Sequence, residues 1–226
     1  MTPRAPSRLA VLARLAALAR LAVLVCCGVL MLFQALPAAQ AEPLGGTIDQ
    51  RSRQQVAALF ASVREAAARG DGAAVLAQLS RTTLARVEAI RTAARLGSAA
   101  PLTGFTPSEK LGVLGLRRHF TTAQLRSLRT PELVGRILGS HGLKPETVRD
   151  AELGQVAISG NRASAPVLVK GQPTPARAEF VREAGQWRVD LTRSTATADT
   201  LLRVLIQLSG QSEEAYLGRI LDRFRH

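Results

Sequence analysis

Cysteine is confined to Cys26 and Cys27, both inside an apolar stretch near the N-terminus. Beyond residue 41 there is none, which excludes a disulfide framework and a thiolate metal site from the rest of the chain. Histidine is nearly as scarce, with His119, His141 and His226. None shares metal-ligand spacing with an acid, so neither a metal nor a cofactor is expected. Aromatic residues make up 4% of the 226 positions, and Trp187 is the single tryptophan. Apolar residues still reach 46%, so the core must be built mostly of Ala, Leu and Val. No nucleophile elbow, P-loop or dinucleotide fingerprint is present. Gly112-Val-Leu-Gly115 falls inside a predicted helix and is no phosphate cradle.

Charge is what the chain has in excess. The formal balance is +13, carried almost wholly by arginine, since Lys110, Lys144 and Lys170 are the only lysines. Without Arg4, Arg8, Arg14 and Arg20 of the leader, 26 basic residues stand against 17 acidic ones, a balance of +9. A basic surface can hold nucleic acid, anionic lipid or acidic partners, but the first reading is an Arg-rich composition with solvated helix faces. The arginines are scattered, and no exposed aromatics interleave with them, so nucleic acid is not an expected partner.

Residues 1–20 are basic and contain no acid. An apolar run from Leu21 to Leu36 follows, broken only at Gln34, and then Pro37-Ala-Ala-Gln-Ala41. This is the pattern of a secretory signal peptide, with cleavage expected after Ala41 and a periplasmic or secreted product. The run is short for a membrane span of about 20 residues. An uncleaved inner-membrane anchor is the alternative. Val23-Leu-Val25 before the cysteines is too bulky for a lipid-modification site.

Helix signals fill the first half. Asp49 can cap a helix to about Arg69, with Val56, Leu59, Phe60 and Val63 on one stripe. Asp71 can cap a short second helix. A third, from about Thr83 to Arg95, buries Leu84, Val87 and Ile90 and leaves Arg81, Arg86, Arg91 and Arg95 wet. Thr106-Pro-Ser-Glu109 and Thr121-Thr-Ala-Gln124 are capping boxes. Thr130-Pro131-Glu132 opens one more helix, and Pro145 marks the crossing into the sheet. There Val156-Ala-Ile158 and Ala163 to Val169 flank a turn at Gly160-Asn161. Residues 176–191 form a second pair around Ala184-Gly185. In its last strand Trp187, Val189 and Leu191 alternate with Arg188, Asp190 and Thr192, the pattern of a half-buried antiparallel strand. Two apolar-striped helices close the chain, and Glu213, Glu214 and Arg219 suit the dipole of the second.

The expectation is therefore a leader, 1–41, and one α+β cone-like domain, 42–226. It has helices over 49–140, a four-stranded curved antiparallel meander over 148–193, and two C-terminal helices over 198–224.

Phe180-Val-Arg-Glu-Ala-Gly-Gln-Trp-Arg-Val-Asp-Leu191, preceded by the Ala163–Val167 strand, resembles exported proteins of the nuclear-transport-factor-2-like superfamily. That resemblance implies a curved sheet wrapped over helices. The fold hosts enzymes, ligand binders and interaction modules, so it does not choose among them. A second similarity, through the leader, the helical first half, Gly185-Gln-Trp-Arg-Val189 and the C-terminal helices, is to periplasmic phospholipid-shuttle proteins.

No catalytic set is assigned. Glu179 and Glu183 share a strand face with Val181, and Asp190 shares one with Arg188, so cross-strand pairs with Arg177, Arg182 or Arg188 are expected. His119 and His141 read as groups at helix ends. The expected function is a non-catalytic periplasmic binding or interaction protein with an apolar pocket between sheet and helices. Phe120, Phe180, Trp187 and Val189 are its candidate lining. Candidate occupants are a small apolar ligand or lipid, with a protein partner or a homodimer through the sheet as further contacts. Membrane contact is expected only through the leader or an anionic surface. A lipid shuttle, or a small hydrolase or isomerase using Asp190, Glu179 and His119, are the alternatives.

Overall fold

Helix caps set most of the boundaries in the computed structural model, which describes residues 48–97, 101–140 and 145–222. The leader, its cleavage site at Ala41, His141 and His226 lie outside the described residues. The first helices are α1 (Ile48–Ala68), α2 (Gly72–Ala77) and α3 (Arg81–Arg95). Asp49 sits in the first turn of α1 and does not precede it. The Asp71 carboxylate accepts from the Ala74 N–H at 2.9 Å and caps α2. Ser80, one turn earlier than expected, caps α3.

Then come α4 (Pro107–His119), α5 (Thr122–Ser127) and α6 (Thr130–Ser140). Both capping boxes form: Thr106 with Glu109, and Thr121 with Gln124. Each satisfies two backbone N–H groups that a helix start otherwise leaves open. Pro145 does not lead straight into the sheet. It starts a further short helix, α7 (Pro145–Arg149). Proline is pre-set for the first helical position and lacks only an N–H that has no partner there.

The sheet holds β1 (Ala151–Leu153), β2 (Ala157–Ser159), β3 (Arg162–Val169), β4 (Gln172–Glu183) and β5 (Gln186–Val189). All pairings are antiparallel. β1 and β2 lie one after the other along the same strand, β3, so the curled sheet has four strand positions. The β4–β5 turn uses left-handed Ala184 and Gly185, φ 48° and 81°, which matches the strand twist. Alternation then buries Ala163, Ala165 and Val167 of β3, Ala176, Ala178 and Phe180 of β4, and Trp187 and Val189 of β5 on one face. Against that face pack Val56 and Leu59 of α1 and Leu79.

The expected alternation stops at Asp190. There the chain turns into α8 (Leu191–Ser194), so Leu191 is not a strand residue and Asp190 is buried rather than wet. The last helices are α9 (Ala196–Ser209) and α10 (Glu213–Asp222). Gly210, at φ 64°, ends α9 in the left-handed conformation that glycine adopts without strain.

Two further cores lie away from the sheet. One joins Ala93 and Ala94 of α3 to Val113 and Leu116 of α4, Phe120, Leu125 and Leu133. The other joins Leu111 of α4 to Leu202 of α9 and Leu217, Ile220 and Leu221 of α10. Among the described residues no helix is long and apolar enough to cross a membrane.

Candidate functional site

β5 ends the sheet, so one of its edges faces no further strand. Residues 78–80 cover half of that edge. The Val189 N–H donates to the Gln78 carbonyl at 2.9 Å, and the Ser80 N–H donates to the Val189 carbonyl at 2.9 Å. In an antiparallel ladder alternate residues point their N–H and C=O the same way, so those of Trp187 face this edge as well. The chain cannot continue the pairing there, because at Ala77 it is still the helix α2. Arg188 spans the break, donating to the Ala77 carbonyl at 2.8 Å and to Gln186 Oε1 at 2.7 Å.

A groove of about 360 Å³ runs between this edge and α1. Ala58, Leu59 and Trp187 form its apolar part. Gln55, Ser62, Gln78 and Gln186 add neutral polar groups, and Arg188 adds a guanidinium. Its size lies at the lower end of small-molecule pockets, about 300–1,000 Å³. Trp187 is 6% exposed, and the Arg182 guanidinium carbon lies 6.0 Å from its ring centre. The buried indole Nε1–H meets no acceptor among the described residues. A buried donor without an acceptor costs about 1–3 kcal/mol, and buried indoles usually have one.

The candidate lining residues divide between two cores. Phe180, Trp187 and Val189 come together beneath the sheet. Phe120 is buried elsewhere, in the core of α3, α4 and α5, and cannot share a pocket wall with them. Of the four, only Trp187 reaches the groove. The glutamines went unrecognised in the sequence because their proximity depends on how α1 docks against β5, which local periodicity does not encode.

A second polar cluster lies where β5 runs into α8. The Asp190 N–H donates to the Glu179 carbonyl at 2.8 Å, and the Thr192 hydroxyl donates to Asp190 Oδ1 at 2.5 Å. Ser194 Oγ donates to the Asp190 carbonyl at 3.1 Å and accepts from the Glu179 N–H at 3.2 Å. The buried Thr83 hydroxyl accepts from the Leu191 N–H at 3.0 Å and so ties this corner to α3. Burial pushes the Glu179 carboxyl above its ordinary range; Arg177, 3.9 Å away, pulls it down, and Asp190 adds to the rise. Arg177 lies on β4 with Glu179, so this contact is not the expected cross-strand pair, and Glu183 meets Arg81 of α3 instead, at 3.6 Å. His119 is exposed at the end of α4, far in sequence from these acids and not among the groups acting on Glu179.

Beside this corner is a cleft of about 50 Å³. Arg86 grips Glu109 across it with two guanidinium nitrogens. Burial alone would raise the Glu109 carboxyl; the Arg86 contacts and the Thr106 N–H outweigh it and hold Glu109 below its ordinary range. The Ser108 N–H donates to buried Asp199 of α9 at 2.8 Å. Hydroxyl, amide and carboxylate are thus matched to one another, as in a structural network. No family model, curated protein or solved structure matches this chain.

Proposed function

We propose that this chain is an exported, non-catalytic binding or interaction protein whose ligand seats in the groove between β5 and α1. The observation that carries this reading is the groove itself, where Ala58, Leu59 and Trp187 give an apolar part and Gln55, Gln78, Gln186 and Arg188 a polar rim. A small amphiphile or lipid suits that arrangement. The leader supports export.

The test is direct because Trp187 is the only tryptophan. The full chain is expressed with its own leader, recovered from the periplasm and its N-terminus sequenced. It is then analysed by native mass spectrometry and solvent extraction, and titrated with lysophosphatidylcholine while Trp187 emission is followed. A bound amphiphile, or saturable change in emission abolished by Leu59→Arg, is expected. An empty protein whose emission ignores the probe overturns the reading. Glu42 as the first residue separates a released protein from an anchored one.

One observation favours an enzyme instead: Asp190 is buried and close enough to act on the Glu179 carboxyl. The cleft at that corner, about 50 Å³, has room for a water or two rather than a substrate.

A further inference from the structure

We propose that the hollow between the C-terminal ends of α3 and α5 is a binding site for a phosphate group, held by Arg95, Arg126 and Thr92. It lies apart from the groove at Trp187 and does not depend on it. The hollow has a volume of about 180 Å³ and is lined by Thr92, Arg95, Leu96 and Arg126. Thr92 is one turn before Arg95 on α3, and Arg126 comes from the last turn of α5. Two arginines from different helices therefore line one concavity, with a threonine beside them.

Neither arginine pairs with an acid among the described residues, and Glu88 of α3 and Glu132 of α6 are engaged elsewhere. Glu88 pairs with Arg91 at 3.5 Å and accepts the Thr130 hydroxyl. Glu132 pairs with Arg129 at 2.9 Å. Burial does not deter an anion, because Thr92, Arg95 and Arg126 are all exposed. A cation in the last turn suits the helix dipole, which accounts for each arginine singly. It does not account for both of them lining one hollow. The guanidinium fork matches phosphate oxygens, and two forks with a hydroxyl match a tetrahedral dianion better than a planar carboxylate. Leu96, 65% exposed, lies on the rim and offers an apolar contact next to the charge.

Free phosphate and a phospholipid headgroup share this chemistry, and two probes tell them apart. Inorganic phosphate is titrated into the full exported chain by calorimetry. Separately, the chain is sedimented with phosphatidylcholine vesicles with and without phosphatidylglycerol. The expected result is binding of at least one probe, weakened about tenfold or more in R95Q/R126Q, the scale expected for losing charge-assisted hydrogen bonds. Binding to phosphatidylglycerol vesicles alone identifies a headgroup site; binding to inorganic phosphate identifies a soluble phosphate site. R51Q/R203Q removes the same charge from exposed positions on α1 and α9 that do not line the hollow, and should leave binding within about twofold, since salt screens exposed charges. If neither probe binds, or if both double variants weaken binding equally, the site does not exist. Thermal melts of both variants confirm that the comparison is between folded proteins.

Discussion

Trp187 and Arg188 are neighbours with opposite surroundings, and their substitutions should separate accordingly. Trp187→Ala empties a buried aromatic site beneath the sheet and should cost about 3–5 kcal/mol. Arg188→Ala loses a hydrogen bond to the Ala77 carbonyl and should cost about 0.5–1.5 kcal/mol. Thermal melts of the two variants read the difference, and a larger loss at Arg188 would contradict the register. Period-2 alternation made this register legible from the sequence. It failed at Asp190 because the ladder ends at Val189 and a helical turn rotates the next side chain inward. Two glutamates extend the test to pH, with opposite signs. The Glu179 carboxyl is raised above its ordinary 4.5, so the folded state binds its proton more tightly than the unfolded state. Its ionised form therefore costs stability at neutral pH, and the cost fades as pH falls through the raised value. Glu179→Gln should raise the melting temperature at pH 7, with the gain closing by the time pH falls below 4.5. Glu109 is held below 4.5, so its contribution is present above that value and is lost as pH falls through its folded value. Glu109→Gln should lower the melting temperature at pH 7 and matter less in acid. Melts from neutral to acid pH check both, and equal signs would mean one carboxyl's surroundings are misassigned.

At the scale of elements, what was written in local chemistry was readable. Thr106-Pro-Ser-Glu109 and Thr121-Thr-Ala-Gln124 carry their own start signals, and both helices begin where those signals stand. β1 carries none. Its three residues are a strand only because Ala151–Leu153 lies against Val167–Val169. Gly154 lets the edge chain pass close to Pro166, whose Cγ would lie 2.7 Å from an added Cβ. The groove was illegible for the same reason, since Gln55, Gln78 and Gln186 meet only through long-range packing. Glycine shows the contrast within one helix pair. At Gly72 of α2 a Cβ would meet the Pro131 carbonyl oxygen at 2.1 Å and the Gly135 nitrogen at 2.5 Å. These are backbone atoms that cannot swing away, so Gly72→Ala should push α2 off α6 and cost about 3 kcal/mol, the upper end of overpacking losses. At Gly139 of α6 nothing lies within 4 Å, and Gly139→Ala should add up to about 1 kcal/mol by restricting the unfolded chain. Urea melts of both variants decide the matter; similar effects at the two sites would mean that α2 and α6 do not approach as described.

Across the whole molecule, three apolar cores share helices rather than standing apart. α3 gives Leu84 to the sheet core and Ala93 and Ala94 to the core around Phe120. α4 gives Val113 and Leu116 to that second core and Leu111 to the third, against α9 and α10. The Ser108 N–H and Asp199 fasten α4 to α9, and the Thr83 hydroxyl fastens α3 to the end of β5. Losing any one core would strip a face from a helix that another core needs, and such sharing makes unfolding cooperative. Trp187 reports the sheet core alone, while far-ultraviolet circular dichroism is dominated by the helices of all three. The two signals should therefore follow one urea transition with the same midpoint and slope, the mark of two-state unfolding. If Trp187 emission changed at a lower urea concentration than the helical signal, the sheet would be a separately melting unit. The contacts through α3 and Thr83 would then be weaker than their burial implies. Thr83→Val discriminates further. It keeps the volume but removes the hydroxyl that receives the Leu191 N–H, so it should lower stability by about 1–3 kcal/mol while leaving the two signals coincident. Were it to split them, the hydrogen bond at that corner, not the shared apolar packing of α3, would be what couples sheet to helices.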